Sequence, residues 1–307
     1  MTNQEKITNG LNIDAEKITK RLESELVNSM EKLNREGMVL GLSGGVDSAV
    51  IACLCRRILP GNKIMAMIMP EKETNKENMK DAADLAKKLN IQYHVIYLDP
   101  YLESANIRFP IPFLNYRLKS MLVRFFYRKM KKSTGETPFL TLLKGARGYS
   151  FKKYLNKGTA NYRFKHRLRL TFLYQAAEET NRLAVGAANK TEYLTGFFVK
   201  FGIDHNSDIM PLLDLYKSQV KKLAHHLEVP EKIINKAPTP DMIPGITDEL
   251  AFEITYEDLD KILYAIENDM PLQGKLKEKE GYVKSLIDNS AHMRNIDIPV
   301  FSENQKK

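Results

Sequence analysis

Residues 43–48 read Ser-Gly-Gly-Val-Asp-Ser, between the apolar run Met38–Leu42 and the small apolar run Ala49–Cys53. Two glycines permit positive φ and let the backbone approach a ligand closely. Consecutive N–H groups at a helix start bind anions, and the hydroxyls of Ser43 and Ser48 add donors. The hexapeptide therefore suits phosphate. A tight strand-to-helix turn capped by serine would account for the glycines and serines, but not for Asp47. A carboxylate beside phosphates is unfavourable unless a cation bridges them, and Mg2+ is the usual bridge. No lysine follows the glycines, so this is not the Walker-type loop.

The elements that must position this loop follow from periodicity. Ile13, Ile18, Leu22, Leu26 and Met30 recur at helical spacing. Residues 37–43 read as a buried strand, and 48–59 as a helix stopped by Pro60 and Gly61. A second strand is expected at 63–70, a second helix at 77–90 and a third strand at 91–99. This βαβαβ order predicts an α/β fold with a doubly wound parallel sheet, its strand C-termini gathered along one edge. The order lapses over 100–165, which is too long for a structureless loop. There, 114–132 reads as a basic amphipathic helix, 133–138 as a turn, and 139–158 as holding a short helix. A helix at 167–181 and a strand at 182–188 resume the pattern. Helices at 214–227 and 255–267 follow, and from about Asn289 the chain reads as a loose polar tail.

The net charge of +9 is unevenly spread. Residues 106–170 hold 17 Lys and Arg against the single acid Glu136, a surplus of 16, so the rest carries −7. Such a block could meet nucleic acid, an anionic membrane or a polyphosphate substrate, or simply be a solvated helical surface. Leu114, Leu118, Met121, Leu122, Phe125 and Phe126 interleave with its charges at helical spacing. That stripe needs cover, so we expect helices that cap an acceptor pocket or form a dimer face, not a nucleic-acid platform. Contact with a membrane surface is the less favoured alternative. The cysteines, Cys53 and Cys55, have no metal-site spacing and form no disulfide framework. With no apolar leader at the N-terminus and no run long enough for a membrane span, a cytoplasmic protein is expected.

The pattern S-G-G-x-D-S resembles the pyrophosphate loop of the ATP pyrophosphatases, enzymes that cleave ATP between the α- and β-phosphates. Three further stretches, 185–202, 214–242 and 244–266, resemble the ammonia-dependent NAD synthetases of that superfamily, in the same order and at nearly the same spacing. The resemblance covers about two thirds of the chain. It implies an adenine-nucleotide α-hydrolase-like, Rossmann-like sheet in one domain over residues 1–290, including the basic helical insertion at about 106–165, with a polar tail at 291–307.

The resemblance also implies roles. Ser43, Gly44, Gly45, Val46, Asp47 and Ser48 would bind pyrophosphate, and Met69, Lys217 and Thr239 would complete the ATP site. Asp47 and Glu192 would bind Mg2+, and with Lys217 they form the catalytic set. Arg167, Arg169, Phe198, Lys200, Asp204, Asp208 and Asp248 would lie on the acceptor side. The implied reaction adenylates the carboxylate of deamido-NAD and then displaces AMP with ammonia, in a homodimer. Neither cysteine has a glutaminase context, so glutamine is not expected to serve as nitrogen donor.

The sequence departs from the family pattern at Ala187, where a threonine is usual. It departs again at 203–207, where glycines are lost and one residue is added, and at Ala251 and Glu253. These positions cluster on the acceptor side. Another adenylating, amide-forming ligase with a different acidic acceptor therefore stands as the alternative, and a tRNA-modifying enzyme or a non-catalytic nucleotide binder as more distant ones.

Overall fold

A computed structural model describes residues 2–107, 116–146, 148–203, 205–239 and 245–294. Four parallel strands form one sheet: β1 (Gly37–Gly41), β2 (Ile64–Ile68), β3 (Gln92–Val95) and β4 (Arg182–Val185), in the order β3-β2-β1-β4. Val39 of β1 lies opposite Met65 of β2 on one side and Ala184 of β4 on the other. β1 and β2 are apolar at almost every position because helices cover both faces. β3 is the edge strand and is largely exposed. It is shorter than the expected 91–99, because after Val95 the chain turns into a short helix.

In chain order the helices are α1 (Asn3–Gly10), α2 (Ala15–Lys32), α3 (Val46–Ile58), α4 (Lys76–Lys88), α5 (Asp99–Ser104), α6 (Tyr116–Thr134), α7 (Pro138–Leu143) and α8 (Lys152–Glu179). They continue with α9 (Lys190–Thr195), α10 (Lys217–His226), α11 (Glu231–Ile234), α12 (Asp248–Phe252), α13 (Tyr256–Glu267) and α14 (Gly274–Arg294). α2, α4 and α8 each end in an asparagine with positive φ, Asn34, Asn90 and Asn181. Asparagine tolerates the left-handed turn that reverses the chain from helix to strand.

The period-2 alternation of the strands sorts the core into two layers. Met38 and Leu40, Ile64 and Ile68, and Leu183 and Val185 pack with residues of α2, α3, α4 and α10. Val39, Met65, Met67 and Ala184 pack with Leu98, Leu102 and the Leu173–Ala177 stretch of α8. A third apolar cluster joins α1, α7, α13 and α14 through Ile7, Leu140, Leu263 and Leu286. The sheet is thus doubly wound, as expected. β2 and β3 lie to one side of β1 and β4 to the other. The chain reverses direction across the sheet between β1 and β4, and in such sheets that crevice is where ligands bind.

Two expectations need correction. The C-terminal stretch is not loose from Asn289. It is the last part of α14, where Ser290 and Met293 are buried and Arg294 donates to the Leu194 carbonyl at 2.7 Å. The expected tail over 291–307 therefore begins as helix, and its residues 295–307 lie outside the described set. The helix read at 167–181 begins fifteen residues earlier, at Lys152. Within the basic block, α6 and α7 are helices as expected, while Leu114 of the apolar stripe lies outside the described residues. Among the described residues no helix is long and apolar enough to cross a membrane.

Candidate active site

The glycine loop closes on itself before any ligand is considered. Ser48 Oγ accepts from the Ser43 N–H at 3.2 Å and donates to the Gly45 carbonyl at 3.1 Å, and Ser43 Oγ accepts from the Gly45 N–H at 3.2 Å. Gly44 has φ of 81°, and a Cβ there would stand 2.2 Å from the Asn78 carbonyl oxygen. Only glycine fits that contact. Behind it, Lys236 donates to the Gly44 carbonyl at 3.3 Å and to Asn78 at 2.8 Å, while pairing with Asp81. The loop is thereby held as the entrance to α3, whose first-turn N–H groups have no partner within the helix.

Two acids reach this entrance from helix starts. Asp47 is the second residue of α3, and Glu192 the third residue of α9, where helix dipoles favour negative charge. Asn189 organises both. Its side chain caps α9 by accepting from the Glu192 N–H at 3.0 Å, and its amide donates to Asp47 Oδ1 at 3.0 Å. Between the acids lies the ammonium of Lys217, 2.5 Å from Asp47 Oδ2 and 3.3 Å from Glu192 Oε1.

A lysine at the first position of α10 opposes the helix dipole, and Lys217 is only 3% exposed. Burial alone would lower its pKa. The carboxylates of Asp47, Glu192 and Asp248 outweigh that and push it well above the usual lysine value. Its backbone is pinned: the Lys217 N–H donates to Thr191 Oγ1 at 2.9 Å, Thr191 donates to Asp260 at 2.5 Å, and the Ser218 N–H donates to Asp260 at 2.7 Å. Burial pushes Asp260 up to about 6, against the pull of Thr191 and Ser218. Asp248 is likewise pushed up to about 6, first by burial and then by Asp47 and Glu249, although Lys217 and the Tyr256 hydroxyl oppose the shift. Asp248 Oδ2 accepts from Tyr256 at 2.9 Å, while Oδ1 is buried without a hydrogen-bond partner among the described residues.

These groups open into a cavity of about 270 Å³ at the C-terminal ends of β1, β2 and β4. An acidic pair around a cation, beside a nest of backbone N–H groups, can hold a polyphosphate and stabilise charge on a departing part of it.

The NAD synthase family model matches residues 18–110 and 141–297. The chain belongs to the NAD synthase family. Enzymes of this family are ligases that form NAD by amidation and consume ATP. An NH3-dependent NAD+ synthetase of Thermotoga neapolitana is 40% identical over 273 residues, 88% of this chain and 91% of the relative. Its counterpart in Thermotoga maritima is 39% identical over 271 residues, 88% and 94% of the two chains. Among solved structures, an NMN synthetase from Francisella tularensis superposes with a TM-score of 0.69 at 27% identity, covering 94% of this chain and 99% of that one. An NH3-dependent NAD synthetase from Campylobacter jejuni, in complex with the nitrate ion, gives 0.66 at 25% identity, covering 94% and 100%.

The structure brings most of the expected site together. Ser43, Gly44, Gly45, Val46, Asp47, Ser48, Met69, Arg169, Glu192, Lys217, Thr239 and Asp248 all line the cavity. Arg169 also donates to the Met69 carbonyl at 3.2 Å, tying α8 to the end of β2.

Four expected acceptor-side residues are not part of that lining. The ring of Phe198 is stacked with His205 and Tyr193, and its neighbour Phe197 lines the cavity instead. Arg167 donates to the Lys200 carbonyl at 3.2 Å, and Lys200 donates to the His292 carbonyl of α14 at 3.2 Å, forming a separate cluster. Asp208 accepts from the Tyr174 hydroxyl at 3.0 Å and the Ala184 N–H at 2.9 Å, so it fastens β4 to α8. Asp204 lies outside the described residues.

Sequence reasoning assigned no role to Asn189, Tyr256, Asp260 or Lys236. Asn189 and Lys236 touch Asp47 and Gly44, far away in sequence, Tyr256 bonds Asp248, and Asp260 acts through Thr191 and Ser218, contacts that periodicity does not reveal. The N-x-x-E spacing of Asn189 and Glu192, a capping signature, was the one available signal. Cys53 and Cys55 are buried in α3, and burial pushes their thiols up to about 11 and about 12. Neither can supply a thiolate nucleophile at neutral pH.

Proposed function

We propose that this chain amidates the carboxylate of deamido-NAD with ammonia, through an acyl adenylate, at the cavity lined by Asp47, Glu192 and Lys217. The acceptor carboxylate attacks the α-phosphorus of ATP and pyrophosphate leaves. Ammonia then attacks the acyl carbon, AMP leaves with the bridging oxygen, and the nitrogen sheds one proton. The observation that carries this reading is the convergence of Asp47 and Glu192 on one cationic position at the mouth of the glycine loop. Ser43, Ser48 and the first-turn N–H groups of α3 bind the pyrophosphate portion, and Met69 and Thr239 flank the rest of the nucleotide. Lys217 supplies the cation that the loop lacks.

The acid pair fits Mg2+. Hard carboxylate oxygens on two sides of a position that already holds an ammonium are the donors this ion takes. When bound, it neutralises charge on the leaving pyrophosphate. Arg169 and Asp248 lie toward the acceptor, and the Arg167–Lys200 cluster beyond the cavity offers positive charge for the distal part of a dinucleotide.

The third apolar cluster ties α1, α7, α13 and α14 together, which supports one domain that runs through the end of α14 at Arg294 and does not stop at 290. A second copy of the chain covers the outer face of α6, where Leu118, Met121, Phe125 and Phe126 are 47–68% exposed.

The test incubates the purified chain with ATP, Mg2+, ammonium and deamido-NAD, and with other carboxylates including the mononucleotide. NAD and AMP forming together with ammonium, but not with glutamine alone, is the expected result. Turnover of another carboxylate in preference to deamido-NAD would overturn the choice of acceptor, and ADP as product would overturn the chemistry. Asp47→Ala should abolish pyrophosphate release.

A further inference from the structure

Every carboxylate oxygen of the acid pair already has a donor from the protein. Asp47 Oδ1 accepts from the Asn189 amide at 3.0 Å and Oδ2 from Lys217 at 2.5 Å. Glu192 Oε1 accepts from Lys217 at 3.3 Å and Oε2 from the Asn189 N–H at 3.5 Å. The two oxygens that face each other therefore share one ammonium. That ammonium stands where a bridging divalent cation would stand.

We propose that Lys217 is the built-in counter-ion of the Asp47–Glu192 pair, and that the pair takes up a divalent cation only together with the nucleotide phosphates that draw the lysine away. This rests on the metal role assigned to the two acids above. A free divalent cation approaching the pair meets a positive charge fixed between its ligands, and like charges at such separations repel strongly in a buried site. A nucleotide polyphosphate changes the balance. Its oxygens on the glycine loop offer the ammonium a new anionic partner and offer the metal additional oxygen ligands at the same moment.

The geometry permits this movement without rearranging the fold. The Lys217 backbone is fixed by Thr191 Oγ1, and Asp260 holds both Thr191 and Ser218. Only the flexible side chain has to swing. The Tyr256 ring, with its centroid 5.2 Å from Nζ, and the buried Asp248 lie beside the ammonium and keep its surroundings favourable to positive charge. Lysine suits such an exchange because its ammonium is a compact charge on a rotatable stem, without the fixed fork of arginine.

The inference orders the reaction. Metal and ATP enter as a complex, and the empty enzyme keeps its acid pair neutralised, which also spares it two adjacent unpaired, partly buried carboxylates. It predicts that removing the ammonium creates a site for free metal.

The experiment is Mn2+ binding followed by water-proton relaxation on the full chain, with and without α,β-methylene-ATP. Wild type should bind Mn2+ at least tenfold more tightly with the nucleotide than without it. Lys217→Met should bind Mn2+ without nucleotide at least tenfold more tightly than wild type does. Wild type binding free Mn2+ as tightly as in the presence of nucleotide would overturn the inference, whether or not the variant folds. A folded Lys217→Met protein with wild-type affinity for free Mn2+ would overturn it too. Failure of the underlying metal assignment is distinguished by Asp47→Asn and Glu192→Gln: if nucleotide-dependent Mn2+ binding survives in both, the acids are not the ligands.

Discussion

Lys119 of α6 and Glu73 of the loop after β2 form an ion pair at 2.7 Å, with side chains 9% and 8% exposed. The contact fastens the basic insertion to the rim of the cavity, since nearby Thr74 and Asn78 line it. α6 grips the opposite rim as well. Arg124 donates to the Gly245 carbonyl at 2.8 Å, the Tyr127 hydroxyl to the Leu250 carbonyl at 2.9 Å, and Lys131 pairs with Glu253 at 2.6 Å. Removing one partner of a buried, charged hydrogen bond costs on the order of 1–3 kcal/mol. Glu73→Leu alone should therefore lower unfolding stability by about that amount. The double variant Glu73→Leu with Lys119→Met should recover most of the loss in urea denaturation. A double variant no more stable than the single one would show that the pair is not what holds α6 in place.

On α6, Lys119 and the Tyr127 hydroxyl reach into the protein, while Leu118, Met121, Phe125 and Phe126 are exposed among Arg128 and Lys129. If a second copy covers that face, Met121→Glu with Phe125→Glu should convert a dimer to a monomer in sedimentation velocity. The melting temperature of each subunit's core should change little. A wild-type monomer, or a variant that remains dimeric, would place the subunit contact elsewhere or remove it.

Asp260 lies behind Lys217, fully buried, with its pKa pushed up to about 6 from 3.8. For a raised carboxyl the folded state favours the protonated form. Its stabilisation is present below the ordinary carboxylate pKa and is lost as pH rises through about 6. At 1.36 kcal/mol per unit, the change amounts to roughly 3 kcal/mol. Asp260→Asn removes this titration. The stability of wild type minus that of the variant should therefore shrink by roughly 2–3 kcal/mol between pH 4 and pH 7, measured by denaturation at each pH. A difference that grows with pH would mean that Thr191 and Ser218 hold the ionised form instead.

The glycine loop was legible because its chemistry is local: strand, turn, acid and helix start occupy twelve consecutive residues. Glu192 was legible through the surrounding motif. Lys217 was legible in the same way, but its direct ion pair with Asp47 was not, because the two lie 170 positions apart and nothing in α10 announces a buried lysine. α14 escaped notice because its buried stripe is narrow, just Val283, Leu286, Ser290 and Met293, and one of these is polar. Ser290 is small for a reason: a Cβ on Gly196 would come within 2.2 Å of its own Cβ, so the two segments meet almost backbone to backbone. The first half of α8 carries too few buried side chains to give a helical period. Asp208 looked like a ligand residue, but its fixed-distance partners Tyr174 and Ala184 are visible only once α8 lies against β4.

Gly44 offers a test of the loop itself. Alanine there would need a left-handed backbone and would strike the Asn78 carbonyl. Strain of this kind costs on the order of 1–3 kcal/mol. Gly44→Ala should raise the KM for ATP several-fold with a smaller effect on the KM for ammonium, read from initial rates. Equal effects on both would place the loop outside nucleotide binding.

The proposed reaction depends on an acyl adenylate formed at the Asp47–Glu192–Lys217 centre. Deamido-NAD labelled with 18O in both carboxylate oxygens tests it by mass spectrometry of the products. One labelled oxygen should appear in AMP and the other should remain in the amide of NAD. Unlabelled AMP, or ADP in its place, would contradict the account.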